Sequence, residues 1–238
     1  MSSPVQLRVL QRAVLRHAAL HYAQHGWPVV PGAFPVAGGF RCDRAGCPTR
    51  GCHPAFEDWW EVASSHPATV ANWWSRRGHS VLFPTGIAFD VIETPPGLGA
   101  PVTRRCREDR LSPTGGRPRS SDSVPSCPVA VTPDGRWMFF VHPGEELRRE
   151  LAERLDVLRH ADCSWVPAPP TRFPEGRVRW QVSPAVVDWR LGDPRKVQRA
   201  LVRAGEPERA GPEYPVSPRL RFLGSAGNQG SFRTTARP

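Results

Sequence analysis

Apolar residues recur every three or four positions between Val5 and His25, and Leu7, Leu10, Val14, Ala18 and Tyr22 fall on one face of a predicted helix. Gly26 can end that helix in the left-handed conformation. Trp27 to Pro31 then reads as a short edge strand, because proline cannot donate to a ladder. Residues 32–57 show no period and read as a loop. Helical spacing returns from Pro67 to Arg77, with Val70, Trp73 and Trp74 on the apolar face. Ser80–Phe83 and Ile87–Ile92 read as strands joined by a hairpin-type turn at Pro84-Thr85-Gly86. Val129–Thr132 and Arg136–Val141 flank Pro133-Asp134-Gly135 as a second antiparallel pair. Leu147, Leu151 and Leu155 predict a helix from Glu145 to Leu155, with the two glutamates favouring its N-terminus. Cys163–Ala168 and Arg177–Val182 read as strands. Asp193-Pro194 opens a last helix by N-cap and first-turn proline logic.

The order of elements predicts an α+β fold, with helices flanking a mostly antiparallel sheet. Two stretches break the pattern. Residues 95–127 are rich in Pro, Gly, Ser and Arg and read as a long mobile insert. Residues 206–238 read as a disordered Pro- and Arg-rich tail. Residues 5–205 are left as one domain.

Composition sharpens this picture. The chain has 238 residues, 28 of them Pro and 21 Gly, with nine Trp and ten Phe to build a core. Its formal charge is +10, and Lys196 is the sole lysine among the 32 basic residues. A basic excess suits polyanion partners, although arginine-heavy usage also follows from GC-rich coding. No run of about 18 apolar residues offers a membrane span. No signal-like segment opens the chain, so a cytoplasmic location is expected. Three of the six cysteines lie within eleven residues, which favours metal or free thiols over a disulfide framework.

Six segments, taken in order, resemble the bifunctional DNA primase/polymerase family of the archaeo-eukaryotic primase superfamily. They are Ala18–Ala23 leading into Gly26-Trp27-Pro28-Val29, the cysteine cluster ending in His53-Pro54, and Trp73-Trp74. Then come Thr85-Gly86 with Phe89–Glu93, Thr132–Phe140, and Ala168-Pro169-Pro170-Thr171 with Gly176 and Trp180. Together they span about residues 10–190. The resemblance implies a primase-polymerase core preceded by a small N-terminal αβ lobe. It also implies strand synthesis from nucleoside triphosphates with Mg²⁺ or Mn²⁺.

The resemblance also shows what has changed. The family's acidic motif is Asp-x-Asp, whose spacing of two puts both carboxylates on one strand face. Asp90 matches the first position, but the second is Ile92, which cannot hold a hard cation. Glu93 is three residues from Asp90 and would need a bulge to return to the same face. The family's nucleotide-contacting histidine falls on Trp137, beside a retained Arg136. A third carboxylate is expected two residues before Arg159, whereas Asp156 lies three before it. The candidate catalytic set is therefore Asp90, Glu93 and Asp156, and the candidate nucleotide contacts are Arg136, Trp137 and Arg159.

Cys42, Cys47, Cys52 and His53 supply three thiols and an imidazole, the donor types of a tetrahedral structural zinc. Cys52 and His53 are adjacent, so His25 or His66 is an alternative fourth ligand. Three readings follow. One is a degenerate domain that binds single-stranded DNA, RNA or a nucleoside triphosphate without chemistry. Another is an active enzyme with relocated carboxylates, and the third a protein-interaction module that kept only the fold. The chain contains no Gly-x4-Gly-Lys-Ser/Thr motif and so carries no helicase engine.

Overall fold

The computed structural model describes residues 4–111 and 126–206. The chain begins with helix α1 (Pro4–Gln24), then β1 (Val30–Gly32), the small hairpin β2 (Phe34–Val36) and β3 (Gly39–Arg41), and helices α2 (Trp59–Val62) and α3 (Pro67–Arg76). Strands β4 (Ser80–Thr85) and β5 (Asp90–Thr94) precede helix α4 (Pro96–Leu111). After the undescribed segment come β6 (Val129–Val131), β7 (Trp137–Val141), the short helix α5 (Arg149–Ala152), β8 (Leu158–His160) and β9 (Ser164–Pro167). Strands β10 (Arg172–Phe173), β11 (Gly176–Arg177) and β12 (Arg179–Val182) lead through a 3₁₀ turn (Pro184–Val187) to helix α6 (Pro194–Gly205). The mixture of helices and antiparallel ladders is the expected α+β fold.

A five-stranded sheet in the order β12-β6-β7-β5-β8 forms the centre, and a three-stranded sheet, β1-β4-β9, lies in the N-terminal lobe. Alternation along the strands gives the central sheet two buried faces. On one, Ile92, Val129, Phe139 and Val141 pack with Leu98 and Val102 of α4 and Val197 and Leu201 of α6. On the other, Val91, Ala130, Met138 and Phe140 meet Tyr22, Trp27, Phe83 and Phe89. Trp27 is the hub of this second core, with ring contacts to Tyr22, Phe83, Phe89, Phe140 and Trp180. Burying a large apolar side chain contributes about 1.5–3 kcal/mol, so two such layers anchor the sheet from both sides.

The structure corrects several sequence expectations. Pro84-Thr85-Gly86 is not a hairpin turn: β4 pairs with β1 and β9, whereas β5 pairs with β7 and β8. The chain passes from one sheet to the other at Gly86, which has φ +87° and sits where a Cβ would lie 2.2 Å from Asp162 Oδ1. Residues 96–111, the start of the expected insert, are helical. Leu98 and Val102 are one turn apart and both buried, a short signal hidden among Pro, Gly and Arg. The rest of that insert and the tail from 207 lie outside the described residues. Only residues 149–152 of the helix expected over 145–155 are helical, and Leu155 is fully exposed. On α1 the buried stripe is Leu15, Ala19, Tyr22 and Ala23, whereas Leu10 and Val14 face solvent.

Ala168-Pro169-Pro170-Thr171 acts as a clasp between lobes. Thr171 Oγ1 accepts a hydrogen bond from Val81 N and donates to Val81 O, both at 2.9 Å. Tyr22 Oη donates to Pro169 O at 2.7 Å and accepts from Trp180 Nε1 at 2.9 Å. Burial raises the Tyr22 phenol well above its ordinary value, which keeps it protonated as that donor.

Candidate functional site

Strand β5 runs in unbroken register with both neighbours, from Asp90 opposite Val141 to Thr94 opposite Trp137, and from Val91 opposite His160 to Glu93 opposite Leu158. No bulge intervenes, so Asp90 and Ile92 share the face under α4 and α6, and Val91 and Glu93 share the other. The bulge that could bring Glu93 back beside Asp90 does not form.

Asp90 is buried, 2% exposed, at the head of β5. Its Oδ2 accepts hydrogen bonds from Arg159 Nε (3.2 Å) and Nη2 (3.0 Å) and from Gly144 N (3.1 Å). Arg159 Nη1 also reaches Glu146 Oε1 at 2.5 Å, so its guanidinium joins a buried carboxylate to an exposed one. Asp90 Oδ1 is buried and has no partner. Arg159, a candidate nucleotide contact, is thus engaged on both edges by acids of this chain.

Glu93 lies on the opposite face in a separate network. Its Oε1 accepts from Arg136 Nε at 2.6 Å, and its Oε2 lies 2.9 Å from His160 Nε2. The other ring nitrogen of His160 is 3.1 Å from Ser164 Oγ. Burial works against the Glu93 charge, but His160 and Arg136 outweigh it and hold the carboxyl below its ordinary value. Asp156 joins neither network. It is half-exposed and takes a bidentate bond from Arg154 at 3.0 and 2.9 Å, which lowers its carboxyl. The three candidate carboxylates therefore occupy three separate ion pairs.

Trp137 is half-buried against the α4 side of the sheet. Gly99 lets the helix approach it so closely that an added Cβ would lie 2.4 Å from Trp137 Cβ. The indole is a packing surface for α4. His160 and Ser164 are not legible as site residues in the sequence. The leucine spacing predicts a helix over residues 145–155, and this masks the alternation of β8, which sends Arg159 and His160 to opposite faces.

The cysteine loop packs beneath the β2–β3 hairpin around Phe40, Cys42 and Ala55. Ligand atoms of Cys42, Cys47 and His53 all lie within 4.8 Å of one another. His53 is buried. Its Nδ1 is 2.7 Å from Gly51 O, which fixes that nitrogen as the donor and leaves Nε2, 3.5 Å from Cys47 Sγ, as the free lone pair. Burial resists ionisation of Cys42, yet hydrogen bonds from the backbone and guanidinium of Arg44 prevail and lower the thiol. Cys52 stands outside the group. It turns into the small core, where burial pushes its thiol up to about 12. His53, not its neighbour Cys52, turns toward the two thiols.

The family model for the bifunctional DNA primase/polymerase N-terminal domain matches residues 19–197. The chain belongs to that family. No curated protein and no solved structure matches it. The matched span runs from the middle of α1 into the first turn of α6 and includes both sheets and the cysteine loop. The primase/polymerase family membership identifies a nucleotidyl-transfer type of domain. Among the described residues, no helix is long and apolar enough to cross a membrane.

Proposed function

We propose that this primase/polymerase domain has given up metal-dependent strand synthesis and serves as a nucleic-acid- or nucleotide-binding module stabilised by a structural zinc. The observation that carries this reading is the state of Asp90. Phosphoryl transfer by two divalent cations needs carboxylates that converge on them with free oxygens. Asp90 keeps one free oxygen, Oδ1, but that oxygen is buried. The neighbour of Asp90 on the same face is Ile92, and Glu93 faces away, so no second carboxylate converges on it. This donor set does not fit Mg²⁺ or Mn²⁺.

The donors Cys42, Cys47 and His53 do fit zinc: two thiols, one of them predisposed to ionise, and an imidazole with its tautomer set. They would clamp the loop to the hairpin, with the fourth tetrahedral position closed by a further donor beyond these three. Elemental analysis of protein purified without a histidine tag is expected to find about one zinc per chain. Metal-free protein with Cys42 and Cys47 freely titratable would remove the zinc from this proposal.

Loss of synthesis is tested by primer extension and de novo synthesis with labelled nucleotides and either Mg²⁺ or Mn²⁺. No incorporation is expected. Incorporation that persists through purification and disappears in Asp90→Asn would overturn the reading in favour of relocated catalysis.

A further inference from the structure

A cleft of about 670 Å³ opens between the β2–β3 hairpin and the cysteine loop, away from both acidic networks. Its walls carry four arginines, Arg41, Arg44, Arg50 and Arg77, against a single carboxylate, Asp43. The four are not equivalent. Arg77 pairs with Asp43 at 2.9 Å and its guanidinium lies 5.2 Å from the centre of the Phe34 ring. Arg44 reaches Cys47 Sγ at 3.5 Å and, more loosely, the exposed Glu57 at 3.8 Å. Its Nε is buried and has no partner. Arg41 and Arg50 are exposed, and neither guanidinium makes an ion pair among the described residues.

The backbone brings these two together. Phe40 N donates to Arg50 O at 2.8 Å, which ties the end of the loop to β3 one residue from Arg41. Gly39 permits the approach. At φ +145° it leaves room where a Cβ would lie 2.7 Å from Arg50 O. A hairpin, a loop tied to it by a backbone hydrogen bond and two exposed guanidiniums at the rim give the cleft the donors an anion needs. By contrast, Arg136 on the central sheet is occupied by Glu93.

We infer that this cleft is where the chain holds the phosphate backbone of a single-stranded nucleic acid, with Arg41 and Arg50 as the principal contacts and Arg44 behind them. The inference rests on the binding function proposed above and places it at the hairpin. A nucleic acid fits the site better than an acidic peptide, because guanidinium forks match phosphate oxygens spaced regularly along a strand.

The test measures binding of a fluorescein-labelled oligothymidylate to the full chain by fluorescence anisotropy across a salt series. The double variant Arg41→Gln with Arg50→Gln is compared with Arg104→Gln plus Arg105→Gln, an equal loss of charge on α4. Both pairs are exposed, and circular dichroism checks that each variant is folded. The cleft variant is expected to bind about tenfold or more weakly, with the slope of log K against log salt reduced by about two. The α4 variant should shift far less. Equal loss in both variants, or no loss in the cleft variant, overturns the assignment while leaving nucleic-acid binding intact. Competition by polyglutamate as effective as that by oligothymidylate overturns it in favour of an acidic-peptide site. Failure of the unaltered chain to bind any oligothymidylate defeats the single-stranded nucleic-acid binding on which the assignment rests.

Discussion

Asp90 and Glu93 are three residues apart on one strand and have opposite surroundings. Asp90 is all but sealed at the head of β5, with one guanidinium and one backbone N–H on a single oxygen. Glu93 faces the other lobe and shares its two oxygens between an arginine and a histidine. Each is held by a basic partner of this chain, in a different setting. Asp90 is a buried strut that holds one edge of the Arg159 guanidinium. Glu93 is the centre of a hydrogen-bonded chain that reaches His160 and Ser164. A strand therefore does not confer a role on a carboxylate; the face and the partner do.

The sharpest way to break the contrast is to rebuild the missing motif. Ile92→Asp restores Asp-x-Asp in sequence but buries a carboxylate among Leu98, Phe139 and Val141. It is expected to destabilise the chain by about 4 kcal/mol or more in urea unfolding, with no gain of nucleotide incorporation. A folded, synthesising Ile92→Asp variant would show that the face under α4 and α6 is an accessible active site.

Asp90→Ala should cost about 2–3 kcal/mol, because Arg159 loses its buried partner and keeps only the exposed Glu146. Arg159→Ala should cost a similar amount, and the double variant much less than the sum of the two. Additive costs would mean that the pair does not act as a unit.

Glu93 gives a smaller, pH-dependent effect. Its carboxyl is lowered in the folded state from an ordinary value of 4.5. The stability it contributes is therefore fully present above pH 4.5 and is lost as pH falls through the folded value. Glu93→Gln should flatten the acid limb of the stability profile, measured by thermal unfolding from pH 3 to pH 7. An unchanged acid limb would detach the carboxylate from its two partners. Asp156→Asn is the smallest change, expected within about 0.5 kcal/mol, since its pair with Arg154 is largely exposed.

Much of this contrast is legible in the amino-acid sequence alone. Period-two alternation says that Asp90 and Ile92 share a face and that Glu93 does not. Helices α1, α3 and α6 and the β6–β7 pair follow from spacing, caps and turn residues. The remainder depends on tertiary context. Helix α4 sets its buried Leu98 and Val102 among Pro, Gly and Arg, so its composition reads as loop. Strand β8 has three residues and acquires its meaning from β5. Cys52 and His53 compete for one direction, and only the packing around Phe40 decides that the histidine faces the other thiols. The partners of Arg136 and Arg159 are remote in sequence, so their engagement cannot be read from the motifs.

The clasp at Thr171 and the pairing of β4 with β9 also set an order of events during synthesis. Strand β4 is complete at residue 85, yet its partner runs from Ser164 to Pro167, roughly 80 residues later. A growing chain emerging from the ribosome at about 5–20 residues per second therefore carries β4 with one unpaired edge for several seconds. Such an edge invites pairing with another chain. Fragments that stop before residue 164 should accordingly aggregate, while those that extend past the clasp remain dispersed.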